Sequence, residues 1–129
     1  MRSYAREVAF CKIYTYLMSG VNDGDFSQFD MTKLDEEDVK FATDLVAGVV
    51  SDKEHLDKIV SEFSRSFKLA RIYRPDLAAL ELALYEMRSL DTPHPVVINE
   101  AVSIVKKYST EKSVSYVNGI LAAYERSLR

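Results

Sequence analysis

Few residues of the chain have the type and spacing that catalysis or metal binding requires. The two histidines are isolated, since His55 lies in an acidic segment and His94 stands between two prolines in a predicted turn. Cys11 has no histidine near it in sequence, and zinc sites need several cysteine or histidine side chains at short spacings. The four glycines are scattered and form no phosphate-binding loop. We therefore expect no enzyme activity, no cofactor and no metal site.

A more suggestive pattern is an alternation of basic and aromatic residues in the segment 64–74. Its members are Arg65, Phe67, Lys68, Arg71, Tyr73 and Arg74. Single-stranded RNA is bound by such residues, because cations contact the phosphates and flat rings stack on the bases. The pattern also fits a second interpretation, in which the two aromatic side chains fill the core and the cations surround them. For the aromatic residues we favour this second interpretation.

Charge is unevenly distributed along the chain, whose net charge is −3. Residues 35–62 contain nine acids and three lysines, whereas residues 63–74 contain four cations and no acid. Cations also outnumber acids in residues 1–12 and in residues 100–129. A local basic surface can therefore exist on a protein whose total charge is acidic.

The elements that would position these residues are helices. Apolar residues recur at helical spacing throughout, and no useful stretch alternates with period two, so we predict no sheet. The pattern predicts helices at about 4–18, from Asp35 to about 50, from Asp52 to about 63, from Pro75 to about 87, at 96–108 and at 112–127. We expect one all-α domain, 1–129, a compact bundle of about six to seven helices in two subdomains, about 1–65 and 66–129.

Composition also limits where the protein works. The single cysteine allows no intrachain disulfide, which fits a reducing compartment. The sequence contains neither a signal-peptide pattern nor a run of ~18 apolar residues. We expect a cytoplasmic protein that does not cross a membrane.

The last predicted helix contains an unfavourable pair, Asn118-Gly119. A glycine inside a helix costs about 1 kcal/mol relative to alanine, which suggests that the pair has a purpose. Either Gly119 allows close helix packing, or the amide of Asn118 binds backbone groups. We favour close packing.

Five short segments follow one another at intervals along the chain. They are Ala5-Arg6-Glu7 with Ala9 and Ile13-Tyr14, Leu45-Val46-Ala47-Gly48-Val49, Leu82-Ala83-Leu84-Tyr85-Glu86, Val97-Ile98-Asn99-Glu100-Ala101-Val102, and Tyr116-Val117-Asn118-Gly119-Ile120-Leu121. In order and spacing these segments resemble the NusB family of bacterial transcription antitermination factors. Each segment alone is a weak signal, but together they extend over nearly the whole chain. The resemblance implies an all-α domain of two helical subdomains, without a cofactor or a reaction.

The resemblance also implies partners. NusB proteins bind the single-stranded boxA element of nascent ribosomal RNA together with NusE, a ribosomal small-subunit protein, and the complex joins the elongating RNA polymerase. By position, Arg2 and Arg6 match the arginine-rich start that contacts RNA, and Tyr116 matches an aromatic residue near the RNA. Tyr85 and Glu86 match the helix associated with the protein partner.

The chain differs from this family pattern in the number and the positions of its basic residues. Family members often begin with several consecutive basic residues, whereas here only Arg2, Arg6 and Lys12 remain. Fewer phosphate contacts predict weaker RNA binding and a shallower salt dependence. Lys112 stands where the family usually has an acid, which would add positive charge close to Tyr116. The candidate RNA-binding residues are therefore these four cations and Tyr116.

Two further departures lie elsewhere, and three functional interpretations stay open. Phe67 replaces a usual tryptophan, and Glu81 replaces a usual arginine. The chain could be an RNA-binding antitermination factor, a NusB-fold interaction module that has lost RNA binding, or an RNA-modifying enzyme. The third is disfavoured, because the chain ends at Arg129 and we expect no cofactor-binding sheet such as RNA methyltransferases carry. A surface cluster of the candidate cations with the tyrosine would favour the first interpretation, and scattered cations the second.

Overall fold

Five α-helices and no strand make up the computed structural model, which describes residues Met1–Arg129. The helices are α1 (Arg2–Ser19), α2 (Glu36–Phe63), α3 (Arg74–Ser89), α4 (His94–Tyr108) and α5 (Glu111–Ser127). Two single turns of 3-10 helix, Met31–Lys33 and Leu69–Arg71, lie in the connections. The predicted all-α fold is confirmed, whereas the predicted number of six to seven helices is wrong. None of these helices combines the length and the apolar character needed to span a membrane.

The difference in number arises in α2, because the predicted break before Asp52 does not exist. Asp35 caps the helix as predicted, and the helix then continues for 28 residues. Its buried stripe stays in phase across the expected break, from Val49 to Leu56. No proline interrupts it, and Asp52 accepts a hydrogen bond from Arg88 of α3, at 2.7 Å, instead of capping a new helix.

α3 lies at the centre of the fold and contacts each of the other four helices. Pro75 occupies its first turn, where a missing N–H leaves no bond unmade. Leu77, Leu80 and Leu84 are fully buried, and each such side chain stabilises the fold by about 1.5–3 kcal/mol. The buried apolar residues form one continuous cluster around this helix. A division into two subdomains near residue 65 stays an interpretation.

α2 and α3 approach each other where the phenol ring of Tyr85 lies over Gly48. A methyl group on Gly48 would collide with the ring carbons and the hydroxyl of Tyr85. A side chain at position 48 would therefore push the ring of Tyr85 away from α2, and glycine is the residue that allows this close approach.

Glu81 of α3 is completely buried beside Lys53 and Asp57 of α2. The Lys53 ammonium donates to Asp57 at 2.6 Å and to Glu81 at 3.1 Å, but one cation cannot neutralise two carboxylates. Lys53 contacts one oxygen of each carboxylate, and the other two, Glu81 Oε1 and Asp57 Oδ1, are buried without a hydrogen-bond partner. Burial, followed by the neighbouring Asp57, raises the pKa of Glu81 to about 8. Glu81 therefore holds a proton at neutral pH.

We expect Glu81→Gln to remove a pH dependence of stability. The folded protein keeps the Glu81 proton up to about pH 8, whereas the unfolded chain releases it near its ordinary pKa of 4.5. Folding therefore takes up a proton in this window, and the free energy of unfolding falls as the pH rises through it. Glutamine stays neutral, so the free energy of unfolding of Glu81→Gln should no longer fall over this pH range. Urea unfolding at a series of pH values measures this. Glu54→Gln, at an exposed position of α2, is the control. If the free energy of unfolding changed with pH equally in the wild type and in Glu81→Gln, the raised pKa of Glu81 would be contradicted.

Candidate nucleic-acid interface

An open cleft of about 280 Å³ lies between the α2–α3 connector, residues 64–73, and the first turns of α3 and α5. We call it the aromatic cleft. It is lined by aromatic, basic, acidic and hydroxyl side chains, which are Phe67, Arg71, Tyr73, Asp76, Thr110, Lys112, Ser113 and Tyr116. The fold thus brings the basic and aromatic connector against the segment that contains two of the predicted RNA-binding residues.

The connector is held in a fixed shape by side chains at its two ends. The Arg74 guanidinium donates to two carbonyls of the connector, at 2.9 and 2.8 Å. The Ser64 hydroxyl donates to the carbonyl of Phe67 at 2.8 Å, and it is 2.6 Å from the hydroxyl of Tyr116. Because Ser64 has only one proton to donate, Tyr116 is the donor in the second bond. These bonds tie the carbonyls of Phe67, Leu69 and Ile72 to side chains at the two ends of the connector, which holds the wall of the cleft in place.

The aromatic residues of the connector point outward. Phe67 and Tyr73 are 50% and 57% exposed, so their interpretation as core residues is wrong. The ring of Phe67 meets that of Tyr116 edge to face, with centroids 5.6 Å apart. Burial raises the pKa of Tyr116, which keeps its hydroxyl neutral. The alternation of cations and rings in the sequence was the signal for this surface, but periodicity does not reveal which way a connector faces.

Positive charge at the cleft is available to a ligand. Arg71 and Lys112 are exposed, and neither takes part in an ion pair of the fold. Asp76, the acid of the cleft, is 5% exposed and accepts hydrogen bonds from Ser109 at 2.6 Å and from Ser113 at 2.8 Å. The cleft therefore presents cations and flat rings to solvent, while its carboxylate is turned inward.

Arg6 and Glu86, which were predicted to contact RNA and a protein partner, bind each other inside the protein. They are 7% and 1% exposed. Arg6 donates to both oxygens of the Glu86 carboxylate, at 2.9 and 2.6 Å, and approaches Glu100 at 3.5 Å. Thr92 donates to Glu86 at 2.8 Å, and the hydrogen bond with Glu86 raises the pKa of Arg6. The two binding roles stay predictions, but both groups are already occupied.

The other two N-terminal cations differ from each other. Lys12 is buried and donates to the carboxylate of Asp23 at 3.2 Å and to the carbonyl of Asp25 at 2.5 Å, which fastens the loop after α1. Arg2 is exposed, and its guanidinium carbon lies 3.9 Å from the ring centre of Phe41. Of the predicted RNA-binding cations in α1, Arg2 is therefore the one that a ligand can reach.

The predicted RNA-binding residues do not form a single cluster. Arg2 lies on Phe41 near the start of α2, whereas Tyr116 is bonded to Ser64 just beyond its end. The intervening stretch of α2 is about 35 Å long at a rise of about 1.5 Å per residue. Lys112 and Tyr116 do come together, but their neighbours are the connector residues and not the N-terminal arginine.

Both the sequence and the fold match one family of known proteins. A sequence model of the NusB family matches residues 3–126. A transcription antitermination protein NusB from Acetivibrio thermocellus is 41% identical over 125 residues, which are 93% of this chain and 85% of that protein. This chain belongs to the NusB family.

Solved structures agree with this assignment. NusB of T. maritima has a TM-score of 0.81 at 29% identity, covering 95% of this chain and 89% of that chain. A chain in the crystal structure of antitermination factors NusB and NusE in complex with dsRNA has a TM-score of 0.82 at 26% identity, covering 98% of this chain and 96% of that chain. The family resemblance predicted from five short segments is confirmed.

The Asn118-Gly119 pair of this NusB-family chain lies on the outer face of α5. Both residues are exposed, and nothing lies within 4 Å of a methyl group built on Gly119. The predicted close packing at Gly119 is therefore wrong, and the fold offers no structural reason for the pair.

No three histidine, cysteine or acidic side chains of the protein are grouped so that they could hold a metal ion.

We expect Arg6→Met to lower the free energy of unfolding by about 3–5 kcal/mol, because it leaves the buried Glu86 carboxylate without its cation. The double variant Arg6→Met/Glu86→Leu should recover much of this loss, since it removes both charges. Urea unfolding of the single and double variants measures the coupling between the two residues. Arg2→Met, which removes an exposed cation of the same helix and its contact with the Phe41 ring, is the control and should lower stability by no more than about 1 kcal/mol. An equally small effect of Arg6→Met would show that the ion pair is not a structural element.

Proposed function

We propose that this NusB-family chain is a transcription antitermination factor that binds boxA-type nascent ribosomal RNA together with NusE and acts on elongating RNA polymerase. The Acetivibrio thermocellus relative is a transcription antitermination protein, and the similar structure with NusE contains RNA. No catalytic step belongs to this proposal. An activity on nascent bacterial RNA would take place in the cytoplasm.

The observation that carries the proposal is the aromatic cleft. Free cations there, Arg71 and Lys112, stand beside the exposed rings of Phe67 and Tyr73. Phosphates bind to such cations with release of counterions, and unpaired bases stack on such rings.

For the protein partner, we propose a contact on α3 at Tyr85. Glu86, the other residue of the implied pair, is enclosed by Arg6 and Thr92, whereas Tyr85 is partly exposed. Glu86 would then act from within, by fixing α1 against α3 below the surface that NusE meets.

An interaction module without RNA binding is the second candidate. The scatter of the predicted cations and the enclosure of Arg6 and Lys12 favour it. Two of the three N-terminal cations that could contact phosphate are engaged inside the protein. In this case the protein would bind NusE alone, and the exposed rings of the cleft would be part of a protein contact.

Fluorescence anisotropy with a boxA-like RNA and a scrambled control, with and without NusE, separates the two candidates. We expect tighter binding of the boxA-like strand, strengthened by NusE and weakened by salt. Equal and feeble binding of both RNAs, with intact binding of NusE, would establish the second candidate in place of the first.

We expect Lys112→Gln to weaken RNA binding and to make its salt dependence shallower. Each phosphate contact on a single strand contributes about 0.7 to the slope of log affinity against log salt, so the slope should fall by about this amount. Lys58→Gln removes the same charge from the solvent face of α2 and is the matched control. If Lys112→Asp bound RNA at low salt as tightly as wild type, Lys112 would not contact the RNA.

A further inference from the structure

The rings of the aromatic cleft form a rigid platform. Phe67 and Tyr73 stay exposed because Arg74 and Ser64 fix the carbonyls of the connector that carries them. Tyr73 lines the cleft and is 57% exposed, so a ligand in the cleft can reach its ring. A platform fixed in advance loses little conformational freedom when another ring stacks on it, which favours binding.

The dimensions of the cleft select between forms of RNA. A space of about 280 Å³ has room for one flat base beside the rings. Paired bases in a helix are covered by their stacked neighbours, so their faces cannot reach a protein ring. An unpaired base that is turned out of the strand presents both faces and its edge.

Charge around the cleft matches the backbone that would flank such a base. Arg71 and Lys112 are unpaired cations among the lining residues, and the carboxylate of Asp76 is held by two serine hydroxyls. The connector adds Arg65 and Lys68, both exposed, and no acid. A polyanion is therefore favoured over a protein segment as the occupant.

We propose that the aromatic cleft binds one unpaired nucleobase of the RNA, stacked on Tyr73 and Phe67, with the adjoining phosphates on Arg71 and Lys112. The proposal rests on the RNA-binding function above and specifies what this site takes from the strand. Stacking accepts every base, because each has a π face. The cleft would thus hold a base of any identity, and its contribution to affinity would come from the ring stack and the two phosphate contacts.

The test places 2-aminopurine, whose fluorescence is quenched by stacking, at each position of the boxA-like RNA in turn. With the wild-type protein we expect a fluorescence change confined to one position or to two adjacent positions. A fully paired RNA duplex of the same sequence should show no such position, because its bases stay covered by their stacked neighbours.

Tyr73→Leu keeps an apolar side chain but removes the π face, and it should abolish that fluorescence change. It should also weaken RNA binding by roughly five- to 150-fold, the range for loss of one base–aromatic stack. Tyr73→Phe keeps the ring and should keep the signal. Leu128→Ala changes an exposed apolar residue at the end of α5 and is the control for general surface effects. Thermal unfolding of each variant confirms that the fold is intact, and Phe67→Leu provides a second variant of the same platform.

The possible failures are distinguishable. If the wild-type protein binds no RNA, this proposal and the proposed function both fall. If it binds RNA but Tyr73→Leu and Phe67→Leu leave the affinity and the fluorescence unchanged, the base site alone is wrong. A fluorescence change of the same size in the fully paired duplex would also overturn it. A loss of NusE affinity with unchanged RNA affinity in Tyr73→Leu would assign the cleft to the protein partner and would likewise overturn the base site.

Discussion

The fold depends on how the charges of its central helix are matched. α3 is buried on nearly all sides, yet it carries two glutamates whose side chains point into the interior. Glu86 is paired with Arg6 of α1, and Glu81 lies against Lys53 of α2. An unmatched buried carboxylate is costly, so each glutamate fixes the position of a neighbouring helix. The negative charge of the two glutamates is neutralised in different ways. The Arg6 guanidinium binds both oxygens of Glu86, whereas Glu81 lies beside Asp57 and keeps a proton.

Much of the fold could be predicted from the sequence, because helical periodicity and caps are local properties. The ends of α1, α4 and α5 lie within two residues of the expected positions. The predicted break at Asp52 was wrong because an acid after a serine resembles a helix cap. Only the packing of α3 against α2 shows that the Asp52 carboxylate instead accepts a hydrogen bond from Arg88 of the neighbouring helix. Gly119 shows the same limit, since a costly residue signals a purpose but not its kind.

The candidate site was harder to predict because exposure is a tertiary property. Arg2, Arg6 and Lys12 look alike in sequence, but the fold buries two of them and exposes one. The cation that Arg6 could offer to a phosphate is used by a glutamate eighty positions later in the chain. Conversely, Tyr73 looked like a core residue because aromatic side chains usually are, and only the position of the connector shows otherwise.

The cleft and the buried charges are mechanically connected, which affects how substitutions in this protein are interpreted. The start of α3 holds the start of α5 through Asp76 and Ser113, so the position of α3 sets the width of the cleft. Near the other end of α3, the ion pair of Glu86 with Arg6 holds the helix against α1. A substitution of Arg6 that weakened RNA binding would therefore not identify Arg6 as a contact. Only exposed cations such as Lys112, whose removal leaves the helices in place, can report on phosphate contacts directly.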